Sequence, residues 1–190
     1  MIETEKLKIR LRELENAKDE VIETGIKVNR LSKSVIYSLI RDDLESARKY
    51  INEMVGLVNK LKDLINKYPV YYNNAVVSLQ EYAEAMAMWY FITENRLPTL
   101  DELGIDAEPY INGIADFTGE LSRKATEELI KNNLDFALKV KKVMEEIYLD
   151  LLNLEPRDYE MRKKVDYVSS NINWLNEKIF YKTLNIGKST

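Results

Sequence analysis

Apolar residues recur with helical spacing along almost the whole of this 190-residue chain. Near the N-terminus, leucine and valine repeat every seven residues over Leu7–Val35, which predicts one long bundle helix rather than a free coiled coil because polar residues interrupt the second seam. Asp42 or Asp43 is expected to cap the next helix, which ends at Tyr68-Pro69. Further helices are predicted over residues 70–93, 109–133, 134–152 and 159–184. The pattern therefore predicts an all-α bundle of about seven helices.

The main loop is predicted over residues 95–109, where proline and glycine interrupt the helical pattern. Within it, Thr99 and Glu102 have the spacing of a capping box, so a short helical turn is expected there. Gly187 is expected to lie just beyond the last helix. Since no composition break suggests a second domain, residues 1–190 are predicted to form one domain.

Composition narrows the classes of protein that the chain can belong to. Hydrophobic residues make up 45% of it and charged residues 32%, which is typical of a soluble globular protein. No apolar run is long enough for a membrane span, and the absence of cysteine fits a reducing compartment, so we expect a cytoplasmic protein. The net charge of −4 is unusual for a nucleic-acid binder. Any nucleic-acid surface is therefore expected to be a local patch or the inside of an assembly.

Two pairs of acidic residues lie inside the most apolar predicted helices. The first pair is Glu81 and Glu84, and the second is Asp116 and Glu120. Their spacing puts the members of each pair about 60° and about 40° apart around a helix, so each pair projects from one face. Because removing a carboxylate from water costs several kcal/mol unless a cation or hydrogen bonds compensate, four such groups suggest a bound cation.

The chain has no histidine and no cysteine, which argues against zinc sites, haem ligation and the usual nucleophilic triads. A di-iron bundle is disfavoured for the same reason. Carboxylates alone suit hard cations, so Mg²⁺ or Mn²⁺ is the expected cofactor, held by Glu81, Glu84, Asp116 and Glu120. The alternative is that these residues are surface or salt-bridged acids on ordinary helices.

The segments that carry these acids resemble the translin family, and its Trax (translin-associated factor X) branch more than translin itself. The resemblance rests on Leu79–Ala85, which reads LQEYAEA, and on Pro109–Arg123, which contains the fairly specific block GELSR. It extends more weakly to Asn29–Lys33 and to Leu184–Gly187. These segments have the order and spacing of the family along most of the chain.

The resemblance implies a seven-helix fold that assembles into an octameric, hollow shell enclosing single-stranded RNA or DNA. It also implies that the four acids bind Mg²⁺ and cleave RNA inside the shell. In one respect the chain departs from the family, because Tyr71–Asn74 replaces the histidine and arginine that family members often have there. Arg123 is a candidate phosphate contact, with a plain surface arginine as the alternative. Tyr71, Tyr72 and Asn73 are candidate contacts to nucleic acid, the two tyrosines by stacking on bases.

Three functional hypotheses follow. The first is a Mg²⁺- or Mn²⁺-dependent endoribonuclease that cleaves single-stranded RNA within a homo-oligomer, most plausibly an octamer. The second is a translin-like shell that binds single-stranded RNA or DNA without cutting it. The third is an all-α nucleotide pyrophosphohydrolase, which also uses two acidic pairs around Mg²⁺. The second pair in that class is normally three residues apart, whereas Asp116 and Glu120 are four apart.

Overall fold

Residues 2–186 are described by a computed structural model, and they fold into seven α-helices with no strand in that range. The predicted all-α fold is confirmed. Helices are α1 Thr4–Ile40, α2 Leu44–Lys67, α3 Tyr72–Glu94, α4 Leu100–Leu103, α5 Ala107–Ile130, α6 Leu134–Asn153 and α7 Tyr159–Ile186. The predicted stop at Gly187 lies outside the described residues.

Capping side chains begin two of these helices, α2 and α4, as the sequence predicted. Asp43 caps α2 by accepting a hydrogen bond from the Ser46 backbone N–H at 3.0 Å. Asp42 has a left-handed backbone, with φ of 64°, and ends the preceding helix instead. The capping box at α4 is also confirmed, because Thr99 and Glu102 exchange side-chain to backbone hydrogen bonds of 2.7 and 3.2 Å.

Two predicted helix starts differ from the structure near prolines. A 3-10 turn, Pro69–Tyr71, precedes α3, which begins at Tyr72 rather than at residue 70. Helix α5 begins at Ala107, two residues before Pro109. Proline is tolerated in a first helical turn because the N–H that it lacks has no partner inside the helix there.

Helices α1, α3, α5 and α7 pack side by side in that order and form the layer that carries the candidate site. Helix α2 packs against α1, with Lys60 bound to Glu20 at 2.7 Å, and α6 packs against both α5 and α7. Between the layers lies the apolar core, where Phe117 is fully buried and meets Phe91 edge to face at 5.9 Å. Tyr82 of α3 also belongs to this core and is 5% exposed.

The seven-residue repeat of α1 is buried only in its second half. Val21, Val28 and Val35 are fully buried, whereas Leu7 and Leu11 are 50% and 58% exposed. The first turns of α1 therefore do not pack against the rest of the described chain. Within residues 2–186, none of the helices combines the length and the apolar character that crossing a lipid bilayer requires.

Candidate functional site

The four predicted acids line one pocket of about 460 Å³. Glu81 and Glu84 lie one turn apart on α3, and Asp116 and Glu120 lie one turn apart on α5. All four side chains are half-buried. Helical spacing predicted that each pair faces one side of its helix, and the packing of α3 on α5 brings both pairs to the same pocket.

A close approach of α3 and α5 brings the two pairs together. At Gly113 of α5, an added Cβ would lie 2.6 Å from the Gln80 carbonyl oxygen and 2.6 Å from the Ala83 Cβ. Because real Cβ atoms essentially never approach so closely, only glycine allows this packing. The backbones of the helices therefore meet one turn before Asp116, and their acids face the same space.

Burial and mutual repulsion make proton uptake more favourable in this pocket. Burial, together with the charges of Glu81, Asp116 and Glu120, raises the pKa of Glu84 to about 8. The pKa of Glu81 is also raised, mainly by burial and further by Asp116 and Glu120, while Lys33 opposes the shift. The negative charge of the four carboxylates thus exceeds the positive charge that the surrounding protein supplies.

The two acids of α5 differ in how they are bonded. Asp116 accepts hydrogen bonds from Gln80 Nε2 at one carboxylate oxygen and from Lys164 Nζ at the other, both at 2.5 Å. Glu120 Oε2 is buried, and among the described residues no hydrogen bond reaches it. Arg123 Nη1 lies 3.6 Å from this oxygen, which is an ion pair without a hydrogen bond. Glu120 therefore retains an oxygen that is free to bind a cation.

Side chains from α1 and α7 complete the pocket wall. Lys33 and Tyr37 come from α1, and the guanidinium of Arg123 lies over the Tyr37 ring at 5.8 Å from its centroid. Tyr167 comes from α7, and its hydroxyl occupies the space that a side chain at Gly119 would fill. The negative centre of the pocket is therefore rimmed by cations and aromatic rings.

Mg²⁺ and Mn²⁺ fit the chemistry of this donor set, which consists only of carboxylate oxygens and includes the free Oε2 of Glu120. Glu81, Glu84, Asp116 and Glu120 are the residues that would hold such an ion. Within residues 2–186, however, no three acidic side chains already lie close enough together to share one metal ion. Binding would therefore require side chains of the pocket to rotate.

Comparison with known proteins gives the family. The profile of the Translin family matches residues 4–184, which is nearly the whole chain. The chain belongs to the translin family. The family to which the LQEYAEA and GELSR segments pointed is thus confirmed, while the Trax branch stays a prediction.

Other translin-like proteins agree with this assignment. The apo form of NeC3PO is 44% identical, covers 96% of this chain and 98% of its own, and superposes with a TM-score of 0.93. AfC3PO is 26% identical over 97% of this chain and 98% of its own, with a TM-score of 0.84. A complex of AfC3PO with duplex RNA shares the fold, at a TM-score of 0.87 and 24% identity over 97% and 98%.

A curated relative is the uncharacterized protein MJ0175 of Methanocaldococcus jannaschii. It is 31% identical over 144 residues, which is 73% of this chain and 64% of that protein. The chain therefore matches less than two thirds of the length of this relative.

Sequence reasoning placed Arg123 in this translin-family site, and Arg123 does line the pocket. It missed Lys33, Tyr37, Tyr167 and Lys164. Lys164 belongs to a basic run with Arg157, Arg162 and Lys163, for which the sequence alone predicts a solvated face. That prediction is wrong for Lys164, because it binds Asp116 on α5. No local signal identifies these residues, since they enter the pocket only through the packing of α1 and α7 on the acidic helices.

The candidate nucleic-acid contacts Tyr71, Tyr72 and Asn73 lie away from the acidic pocket. Tyr72 precedes Glu81 by nine residues, which span about 13 Å of helix. Tyr71 and Tyr72 are half-buried against the core, and Asn73 is exposed at the start of α3. The pKa of the Tyr72 phenol is raised by burial and by its hydrogen bond with Asp106. The structure does not bring these residues to the acidic pocket, and their contact with nucleic acid stays a prediction.

Proposed function

We propose that this chain is a Trax-like, divalent-metal-dependent endoribonuclease that binds and cleaves single-stranded RNA inside a homo-oligomeric shell. One observation carries the proposal. Four acids from α3 and α5 line a single pocket in a translin-family chain. An ordinary solvated helix face would leave these acids apart and in water.

Each side chain has a definable task in this reaction. Glu81, Glu84, Asp116 and Glu120 would hold Mg²⁺ or Mn²⁺ as carboxylates, so Glu84 would have to be deprotonated for the metal to bind. When bound, the ion lowers the pKa of a water molecule and stabilises negative charge on the phosphodiester. Arg123 is 53% exposed at the pocket rim, where its guanidinium is available to a phosphate of the strand.

An enclosed shell accounts for RNA binding by a chain whose net charge is −4. Closure of several copies around an interior gathers the local cations of each copy on one surface. AfC3PO, which shares the fold, forms a complex with duplex RNA, so a fold of this kind accommodates RNA. We propose an octamer, and light scattering of the purified protein should report a mass near eight subunits. A stable monomer at micromolar concentration would contradict this assembly.

A second candidate function is binding of single-stranded RNA or DNA without cleavage. The observation that favours it is the state of the acids: Asp116 is neutralised by Lys164, and within the described range no three acids already share a metal-sized site. The pyrophosphohydrolase hypothesis has less support, since the translin profile spans residues 4–184.

Cleavage of labelled RNA tests the proposal. Single-stranded and duplex RNA are incubated with the protein in Mg²⁺, Mn²⁺ or EDTA, and the products are separated on a denaturing gel. We expect internal cleavage of the single strand that requires metal. Glu84→Gln and Asp116→Asn should lower the rate by about 100-fold or more. Glu127→Gln is the matched control, because Glu127 is an exposed acid on the same helix as Asp116.

Binding is measured separately by fluorescence anisotropy at several salt concentrations. Affinity should fall as salt rises, because the strand is held through its phosphates. Glu120→Gln should bind RNA at least as tightly as the wild type, since it removes a negative charge near the backbone, while its cleavage is lost. RNA that is bound by the wild type but never cut in any divalent metal would favour the binding-only function. Hydrolysis of nucleoside triphosphates without RNA cleavage would favour the pyrophosphohydrolase.

A further inference from the structure

Lys164 of α7 binds Asp116 and thereby neutralises one acid of the pocket. Its Nζ donates to Asp116 Oδ1 at 2.5 Å, across 48 positions of the chain. Both side chains are partly shielded, with exposures of 29% for Lys164 and 21% for Asp116. This geometry is that of a directed ion pair rather than of a loose surface contact.

Neighbouring basic residues on α7 behave differently. Lys163 binds Glu160 of its own helix at 3.0 Å, and Arg162 donates to the backbone carbonyl of Arg157 at 3.0 Å. Only Lys164 of these three reaches an acid of α5. Its role is therefore set by the pocket and not by the local sequence of α7.

The charge of Lys164 extends beyond its one bonded partner. Its positive field opposes the raised pKa values of Glu81 and Glu84, the two acids of α3. Three of the four acids therefore experience this ammonium. A divalent cation that enters the pocket therefore meets the Lys164 ammonium, which is bonded to Asp116, one of the carboxylates that would hold the cation.

The Lys164 ammonium can also occupy a second position, near the Tyr167 ring. Its Nζ is 6.0 Å from the centroid of the Tyr167 ring, which lies at the pocket rim and is 41% exposed. Four methylene groups separate the ammonium from the α7 backbone, so it can leave Asp116 by rotation about side-chain bonds without movement of the helix. An ammonium released at this rim is available to a phosphate.

We propose that Lys164 is an exchangeable counter-ion: it neutralises Asp116 in the metal-free pocket, and when a divalent cation takes Asp116 it transfers to a phosphate of the RNA. This inference rests on the proposed function. It makes metal binding and RNA binding mutually favourable, because the metal frees the cation that the RNA uses. It also accounts for a pocket in which Asp116 is paired although Glu120 keeps a free oxygen.

Isothermal titration of Mn²⁺ into the RNA-free protein tests the first half. Lys164→Met and Lys164→Gln should bind Mn²⁺ about tenfold more tightly than the wild type, because the competing charge is gone. Lys164→Arg keeps the charge and should keep an affinity near that of the wild type. Lys163→Met is the matched control and should leave it unchanged. Circular dichroism of each variant verifies that the helices are intact.

Steady-state cleavage tests the second half. Lys164→Met should raise the KM for single-stranded RNA about tenfold through loss of one charged phosphate contact. The dependence of log KM on log salt should lose about 0.7 of slope. If the wild type binds Mn²⁺ and Lys164→Met binds it equally or more weakly, the counter-ion role is overturned and the proposed function stands. Absence of Mn²⁺ binding by every one of these proteins would overturn both.

Discussion

Helix α5 carries two charged clusters one turn apart, and they differ in how completely their charges are paired. Glu120 belongs to the acidic pocket, whereas Lys124 is only 2% exposed and lies at the end of α1. Lys124 donates to the Ile40 carbonyl at 3.0 Å and to Asp42 at 2.6 Å. It also forms an ion pair with Glu128 at 3.3 Å.

Charges balance in the Lys124 cluster, which comprises Lys124, Lys131, Asp42 and Glu128. Burial alone would raise the pKa of Asp42, but hydrogen bonds from both lysines outweigh it and the pKa is lowered. The pKa of Glu128 is also lowered, chiefly by its hydrogen bond with Lys131. In the acidic pocket the shifts have the opposite sign, and the pKa of Glu84 is raised to about 8.

The difference separates a cluster whose role is structural from the pocket to which we assign the proposed function. The Lys124 cluster joins the Ile40 carbonyl at the end of α1 to α5, and its positive and negative charges are paired with one another, so it needs no ligand from outside the chain. In the acidic pocket pairing is incomplete: Lys164 binds Asp116, but the pKa of Glu84 is raised, and Glu120 keeps a buried oxygen that no hydrogen bond from the described residues reaches. Under the proposed function, a cation from outside the chain would supply the missing positive charge.

Loss of Lys124 should have the largest effect on stability. Lys124→Met removes a buried ammonium and leaves the end of α1 and two carboxylates without it, so the free energy of unfolding should fall by about 3 kcal/mol. Lys131→Met, at an exposed member of the same cluster, should cost much less. Urea unfolding in EDTA at one fixed protein concentration measures both. Equal losses for the two variants would mean that burial does not distinguish them.

The acidic pocket has an excess of negative charge, so the free energy of unfolding in EDTA should depend on pH. The pKa of Glu84 is about 8 in the folded protein and about 4.5 in the unfolded chain, so the folded state holds the extra proton between these values. Stability should therefore be highest below pH 4.5 for this group and fall as pH rises towards 8. The full shift corresponds to at most about 5 kcal/mol, and relaxation of side chains around the ionised Glu84 should leave about 2 kcal/mol of it.

Glu84→Gln should remove this component, because the amide does not titrate, and the variant should exceed the wild type in stability at pH 8.5. Glu127→Gln, the exposed acid on α5, should retain the wild-type dependence. The measurement is urea unfolding at pH 5.0 and pH 8.5 with metal removed. Parallel pH profiles for wild type and Glu84→Gln would show that Glu84 is not the group responsible.

Local chemistry explains how much of the fold the sequence predicted. Helical periodicity and the caps at Asp43 and Thr99 depend on residues within a few positions of each other, so they can be recognised without tertiary structure. Helical spacing likewise predicts that Glu81 and Glu84 share one helix face, and that Asp116 and Glu120 share another. These parts of the candidate site were predictable.

Contacts between distant helices account for the rest. The pairing of Lys164 with Asp116 depends on how α7 packs on α5, and nothing within α7 distinguishes Lys164 from Lys163. The exposure of Leu7 likewise depends on where α2 ends beside α1, which periodicity does not record. Proximity in sequence does not place Tyr72 in the pocket either, since it precedes Glu81 by nine residues and lies about 13 Å from it along the helix.

Metal addition gives the smallest expected change and the sharpest contrast between the two clusters. At a Mn²⁺ concentration ten times the Kd, binding to the folded state should add about 1.4 kcal/mol to the free energy of unfolding by mass action. Glu84→Gln and Asp116→Asn should lose this increment because they remove metal ligands. Glu128→Gln should keep it, whatever its own stability, because Glu128 belongs to the paired cluster. Melting temperatures with Mn²⁺ and with EDTA measure the increment for each protein. An increment of equal size in all four proteins would place the metal outside the acidic pocket, and loss in Glu128→Gln alone would assign it to the Lys124 cluster.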